Sequence, residues 1–137
     1  MASNFAVNNI RDFEFIIQEW LPNDGVFQYP QFADYYSKDD IKSVLAPILK
    51  MCKEVIEPTN NENETNPVTF KDGKVTTPPS YGGLFKMLQS EGWGTSNIDT
   101  SEGAMVMPDM LHSAVWEMIG AANPTFMPYV LLTTGSA

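Results

Sequence analysis

The chain has 137 residues, of which 43% are hydrophobic and 18% are charged, so it can bury one core and is too apolar for a disordered tail. Seventeen acidic against eight basic residues give a formal charge of −9, which makes nucleic acid and anionic membrane surfaces poor partners. A single cysteine cannot close an intramolecular disulfide, and the first residues lack the pattern of a signal peptide. These features predict a cytoplasmic location and no membrane helix.

Two amphipathic helices are predicted in the first half of the chain. The first is ended by Pro22, and the second follows the capping pattern at residues 37–40. Pro47 lies off the apolar face of the second helix and predicts a kink or a junction there. The apolar residues at helical spacing are Phe13, Ile16, Ile17, Trp20 and Leu21 in the first helix, and Ile41, Val44, Leu45, Ile48, Leu49, Cys52, Val55 and Ile56 in the second.

The middle of the chain predicts a loop and a small hairpin. Residues 59–67 offer nothing apolar to bury and are interpreted as a surface loop. Residues 68–77 alternate around Asp72-Gly73, a dipeptide that tolerates the positive φ of a two-residue turn.

Two further helices and an apolar end are predicted after the hairpin. One helix follows Pro78-Pro79-Ser80 and ends near Gly92, and the next follows a polar loop at 95–103 and Pro108. Residues 125–137 are apolar up to the last residue, which predicts either a longer parent chain or a partner that covers this segment. The predicted core faces are Tyr81, Leu84, Phe85 and Leu88, then Leu111, Ala114, Val115, Met118, Ile119 and Ala122.

Few residues suggest chemistry. His112 and Cys52 lie in different predicted helices without metal-ligand spacing, so we interpret His112 as a surface or boundary residue and Cys52 as a buried, inert thiol. A solvated helix end is favoured over a calcium site for the acidic cluster Glu54, Glu57, Glu62 and Glu64. The sequence predicts neither a metal site nor a catalytic residue.

Five segments in order resemble the amino-terminal helical domain of flavin-dependent acyl-CoA dehydrogenases. They are Glu54-Val55-Ile56-Glu57-Pro58, the run from Asp72 to Pro78, Glu91-Gly92-Trp93, Met107-Pro108, and the stretch from Asn123 to Gly135. The helix around Phe13 is similar to the extended amino-terminus of the larger enzymes, including the branch that acts on methylthio-propionyl-CoA.

The resemblance implies an all-α, up-and-down helical bundle with one small extended hairpin. It implies an extended amino-terminal helix and irregular arm at residues 1–36 and the helical domain at 37–137, apparently truncated at its C-terminal end. The parent enzyme would use FAD to dehydrogenate acyl-CoA thioesters, would be a homo-oligomer, and would hold the flavin and the catalytic base mainly in its other domains. By itself this chain would bind no flavin and would be inactive.

The resemblance implies that the last segment would form one wall of the acyl pocket. The candidate wall residues are Phe126, Tyr129, Val130 and Thr133. The alternative from a different class is a free-standing acidic helical interaction module that docks a partner through its apolar C-terminal face.

Overall fold

A computed structural model describes residues 10–21, 25–93 and 106–135 of the chain. The predicted stop at Pro22 and the polar loop at 95–103 lie outside these ranges. Within them the protein is helical apart from one antiparallel hairpin, which confirms the all-α class with a small hairpin. The up-and-down order of the helices and the boundary between residues 36 and 37 stay predictions.

The first helix is short and changes its winding. Helix α1 spans Ile10–Glu14 and continues as a π-helical turn over Phe15–Trp20, which closes with a bond of 2.9 Å from the amide of Leu21 to the carbonyl of Ile16. Phe13 and Ile17 are buried, whereas Trp20 is 67% and Leu21 40% exposed. The predicted apolar face is therefore wrong at its C-terminal end, because the wider winding turns these residues away from the core.

The segment between α1 and the second predicted helix is irregular. A 3₁₀ turn over Val26–Gln28 leads into the single turn of helix α2, Pro30–Ala33. Phe27 and Tyr36 are buried in the same core as the residues of the later helices. These two aromatic rings therefore fix the arm to the domain.

The predicted helix after residue 40 is one continuous helical element in which 3₁₀, α and π segments follow one another. A 3₁₀ turn, Lys38–Asp40, leads into α3, Ile41–Met51, which runs through Pro47 without ending. It continues as a π-helical turn over Cys52–Ile56 and a 3₁₀ turn over Glu57–Thr59. Pro47 is exposed and lacks an amide hydrogen, so the missing hydrogen bond lies on the solvent side of the helix.

The segment at 59–67 contains a helical turn, α4 at Glu62–Thr65, so its interpretation as a loop was wrong there. The hairpin follows as predicted: strand β1, Thr69–Lys71, pairs antiparallel with β2, Lys74–Thr76. Its turn residues Asp72 and Gly73 have φ of 52° and 77°. Both turn residues therefore adopt the positive φ that the Asp72-Gly73 dipeptide predicted.

Three helices complete the domain. Helix α5 spans Tyr81–Ser90 and stops before Gly92, whose φ is 79°. Helix α6 spans Asp109–Ala122, and α7 spans Met127–Gly135. All six residues of the predicted α6 face are buried, which confirms that face.

The core lies where α3 and its π-helical continuation pack on α6, with α1 against α3 and α7 against α6. Gly120 allows the close approach of α7, since a Cβ atom there would lie 2.9 Å from the Sδ atom of Met127. The largest fully buried side chains are Phe126, Ile41, Leu45, Ile48, Ile56, Leu88, Met107, Leu111, Met118, Ile119, Val115 and Val130.

Candidate functional site

An aromatic cluster forms where α5 meets the start of α7. The ring of Tyr81 lies edge-on to Phe126, with centroids 5.2 Å apart, and edge-on to Tyr129 at 5.4 Å. The rings of Phe126 and Tyr129 are nearly parallel, 16° apart, at 6.3 Å. Edge-on contacts of this kind add about 0.5–1.5 kcal/mol to the gain from burial. The cluster therefore holds the first turn of α7 in one orientation against α5.

Asn123 is fully buried and connects the elements around this cluster. Its Oδ1 accepts hydrogen bonds from the Thr125 and Phe126 amides, at 3.2 and 3.0 Å, and from the Thr125 hydroxyl at 2.8 Å. Its Nδ2 donates to Thr59 Oγ1 at 3.0 Å, and the Tyr81 hydroxyl lies 2.5 Å from Thr125 Oγ1. The amide thus ties the 3₁₀ turn Glu57–Thr59 to the turn between α6 and α7.

The four predicted wall residues do not share one environment. Phe126 and Val130 are buried at 0% and 2% exposure, whereas Tyr129 is 36% exposed. The backbone of Thr133 belongs to α7, but its side chain lies outside the described residues. Leu132, which was not among the four predicted wall residues, is 69% exposed. Tyr129 and Leu132 therefore form the outward apolar part of α7, which we call the α7 face, with Phe126 and Val130 behind it in the core.

His112 is buried, contrary to its interpretation as a surface or boundary residue. It is 3% exposed on α6, and its ring lies edge-on to Trp116 at 4.3 Å. Within the described ranges, neither His112 Nε2 nor Trp116 Nε1 has a hydrogen-bond partner. Burial lowers the pKa of His112, opposed by the charge of Asp109, so the neutral imidazole is the favoured form.

The thiol of Cys52 is an inert part of the core, as predicted. Cys52 is fully buried at the start of the π-helical turn, and burial raises its pKa to about 12. A thiol is a nucleophile only as the thiolate, which this environment disfavours. Among the described residues, no group of three or more histidine, cysteine or acidic side chains could hold a metal ion.

The acidic cluster is not uniformly solvated. Glu57 is 7% exposed, and Glu62 accepts hydrogen bonds from both the amide, at 3.2 Å, and the hydroxyl of Ser80. The prediction of a solvated helix end was therefore wrong for these two residues. Glu62 instead joins α4 to the start of α5 across the base of the hairpin.

Two open grooves lie on the described surface. The first, of about 460 Å³, runs between the arm and the start of α6 and includes Tyr29, Phe32 and Asp109. The second, of about 270 Å³, lies between α3, its π-helical continuation and α5, with Glu54 and Glu91 in its lining.

None of the described helices has both the length and the apolar content needed to cross a lipid bilayer.

Comparison with known proteins gives relatives over nearly the whole chain. No family model matches it. The chain is 29% and 27% identical, over 99% of its length, to two butyryl-CoA dehydrogenases of Syntrophomonas wolfei. It is 26% identical over 93% of its length to a 3-methylmercaptopropionyl-CoA dehydrogenase of Ruegeria pomeroyi. The predicted similarity to acyl-CoA dehydrogenases is confirmed.

The chain spans only part of these relatives. It covers 23% of the length of the two butyryl-CoA dehydrogenases and 21% of the third protein. The similarity therefore concerns one region of these longer proteins.

Tyr81, Asn123 and Thr125 were not among the predicted site residues. Tyr81 was named as one position of an apolar face, and Asn123 and Thr125 were named only as part of the stretch that resembles the family. The sequence feature that could have indicated this hydrogen-bonded connection is the position of Asn123 between two predicted helices. An asparagine side chain in a turn commonly accepts a hydrogen bond from the backbone amide two residues later.

Proposed function

We propose that this chain acts as the helical domain of an FAD-dependent acyl-CoA dehydrogenase and forms one wall of its acyl pocket. The observation that carries the proposal is the similarity over 99% of the chain to proteins named butyryl-CoA dehydrogenase. Because the chain covers 23% of their length, the flavin and the base that removes the substrate proton are assigned to the remainder of the enzyme.

The α7 face supports the assignment of the wall. Apolar ligand slots commonly lie at domain junctions, where one domain supplies wall residues and another supplies the reactive group. Tyr129 and Leu132 are exposed large apolar residues of α7, Val130 is buried, and the buried ring of Phe126 stacks on Tyr129. Thr133, one position after Leu132, remains the fourth proposed wall residue. The chemistry that flavin supplies in such an enzyme is acceptance of a hydride from the acyl chain.

Acyl-chain preference tests this proposal. The full-length enzyme that contains this chain is assayed with a series of straight-chain acyl-CoA substrates and an artificial electron acceptor. Removing Tyr129 or Leu132 side-chain volume lengthens the slot, so Tyr129→Ala and Leu132→Ala are expected to shift kcat/KM toward longer chains, by about tenfold per methylene accommodated. Leu21→Ala, at an exposed leucine far from α7 in the sequence, is the matched control.

Two results would contradict the proposal. One is an absence of acyl-CoA oxidation in the full-length enzyme, and the other is an unchanged chain-length profile in both α7 variants. Isolated residues 1–137 are expected to show no turnover and no flavin absorbance after purification.

The interaction-module alternative uses the same α7 face. An exposed leucine beside a half-exposed tyrosine suits contact with a partner helix. Under that alternative, Leu132→Ala would weaken capture of a specific protein partner and leave acyl-CoA oxidation unaffected.

A further inference from the structure

Tyr81 connects the start of α5 to the half-exposed ring of Tyr129 on α7. It is the first residue of α5 and is 2% exposed, so its own ring lies inside the domain. That ring is edge-on to Tyr129, with centroids 5.4 Å apart and planes at 77°. Tyr129 is 36% exposed, so Tyr81 covers part of a ring that is otherwise turned outward. Any effect of Tyr81 on the α7 face is therefore exerted through Tyr129.

The Tyr81 ring is itself held from two sides. The fully buried ring of Phe126 lies edge-on to it at 5.2 Å. At the far end of the ring, the Tyr81 hydroxyl lies 2.5 Å from Thr125 Oγ1. The Thr125 hydroxyl donates its hydrogen to Asn123 Oδ1 at 2.8 Å, so the Tyr81 hydroxyl is the donor in the 2.5 Å bond. Tyr81 is thus a fixed surface against which Tyr129 packs.

Contact with this fixed surface favours one rotamer of Tyr129. A half-exposed side chain on a helix has more than one staggered rotamer open to it. An edge-on aromatic contact favours the rotamer that makes it by about two- to tenfold over one that does not. Without the Tyr81 ring, Tyr129 would populate several rotamers, and the α7 face would lose its defined shape at this point.

We propose that Tyr81 is a positioning residue for the acyl-pocket wall, and that it limits acyl-chain length by holding the Tyr129 ring across the slot. This role rests on the proposed function, because it requires the α7 face to line the slot. A ring held in one rotamer gives the slot a fixed end, whereas a ring that turns aside lets a longer chain pass. Such a boundary discriminates between substrates that differ by one or a few methylenes.

The test measures acyl-chain preference in the full-length enzyme that contains this chain. The ratio of kcat/KM between a long and a short acyl-CoA is taken on one preparation, so it does not depend on the fraction of folded enzyme. Tyr81→Leu is expected to raise this ratio by about fivefold, in the same direction as Tyr129→Ala. The change is expected as a lower KM for the longer substrates, with kcat for the shortest one unchanged, because Tyr129 affects binding of the chain.

A conservative variant and a double variant separate positioning from a structural role. Tyr81→Phe keeps the buried ring and loses only the hydroxyl, so it is expected to change the ratio by less than about twofold. The double variant Tyr81→Leu/Tyr129→Ala is expected to show the ratio of Tyr129→Ala alone, since no ring remains to be positioned. If Tyr81→Leu does not fold, Tyr81→Met takes its place, because methionine adapts to the vacated space.

Tyr36→Leu is the matched control for loss of stability. Tyr36 is a buried tyrosine of the arm, 4% exposed, and the substitution is the same. This variant is expected to unfold more readily than the wild type, as Tyr81→Leu does, and to keep the wild-type ratio. A shift as large as that of Tyr81→Leu would show that general destabilisation is responsible, and would overturn the proposed role.

Two other patterns would overturn it. In the first, Tyr129→Ala shifts the ratio, but Tyr81→Leu does not, or the two shifts add in the double variant; the wall then stands without a part for Tyr81. In the second, Tyr129→Ala leaves the ratio unchanged, so there is no ring for Tyr81 to position. The proposed wall fails only when Leu132→Ala also leaves the ratio unchanged, so the two failures are distinguishable.

Discussion

His112 lies on α6 with its ring edge-on to Trp116 and is shielded from solvent. Its pKa is lowered because the charged imidazolium would lose hydration in this environment, and Asp109 offsets only part of that cost. The unfolded chain therefore binds a proton more readily than the folded chain between the lowered pKa and the ordinary value of 6.5. In that interval the free energy of unfolding rises with pH.

The stability of the fold is therefore expected to fall as the pH drops below 6.5 through the lowered pKa of His112. Urea unfolding at a series of pH values measures the effect, and His112→Gln is the control that cannot titrate. Carboxylates titrate in both proteins at lower pH, so the difference between the two curves isolates the histidine. A difference that does not change between about pH 7.5 and about pH 5.5 would contradict the burial of this ring.

The chain has one histidine, so its pKa can also be measured directly. The ring protons of the wild-type protein give one titration curve by nuclear magnetic resonance, without assignment of other histidines. A midpoint at or above the ordinary value of 6.5 would show that the imidazole is solvated or paired in solution.

At the level of the elements, the turn between α6 and α7 depends on one amide. Asn123 accepts bonds from the amides of the turn before α7 and donates to Thr59, the last residue of the 3₁₀ turn that follows α3 and its π-helical continuation. Removing this side chain leaves the buried amide of Phe126, the amide of Thr125 and the hydroxyl of Thr59 without that partner. A buried amide with these bonds stabilises the turn and connects two segments that are far apart in the sequence.

Asn123→Ala is therefore expected to lower the free energy of unfolding by about 2–4 kcal/mol, because more than one polar group loses its hydrogen-bond partner at about 1–3 kcal/mol each. Asn66→Ala is the matched control, because Asn66 is exposed and its Nδ2 donates to the exposed hydroxyl of the neighbouring Thr65. The control should change stability by less than about 0.5 kcal/mol. Equal effects of the two substitutions in chemical denaturation would refute the role of the buried amide.

At the scale of the whole molecule, Cys52 reports on the opening of the core. It is fully buried at the π-helical turn that packs on α6, and its pKa is raised to about 12. A thiol reagent therefore needs both exposure of the side chain and formation of the thiolate. Local fraying of the ends provides neither, so reaction follows opening of the packed core.

The native protein is expected to react with a disulfide reagent at about pH 8 at least about a hundredfold more slowly than the urea-unfolded chain, since reaction requires such opening. Ser43→Cys in a Cys52→Ala background is the control, because Ser43 is exposed on α3. Its thiol should react at a rate similar to that of the unfolded chain. Equally rapid labelling of native Cys52 would show that the thiol is not enclosed.

The sequence by itself determined the elements that local chemistry specifies. Positive φ at Asp72 and Gly73, the stop at Gly92 and the apolar face of α6 follow from residues close together in the chain. The order of the family-like segments indicated the relationship to acyl-CoA dehydrogenases. It also suggested the four wall residues, whose role in binding stays a proposal.

Only the tertiary structure decided where those elements place their side chains. The burial of His112, the exposure of Trp20, and the hydrogen bond from Asn123 to Thr59 depend on packing between segments far apart in sequence. A periodic pattern identifies the apolar face of a helix. It does not determine whether residues at the edge of that face are covered by a neighbouring element, or whether the helix changes to π-helical winding. For the same reason, the division of α7 between a buried side and an exposed face was determined by its packing on α5 and α6.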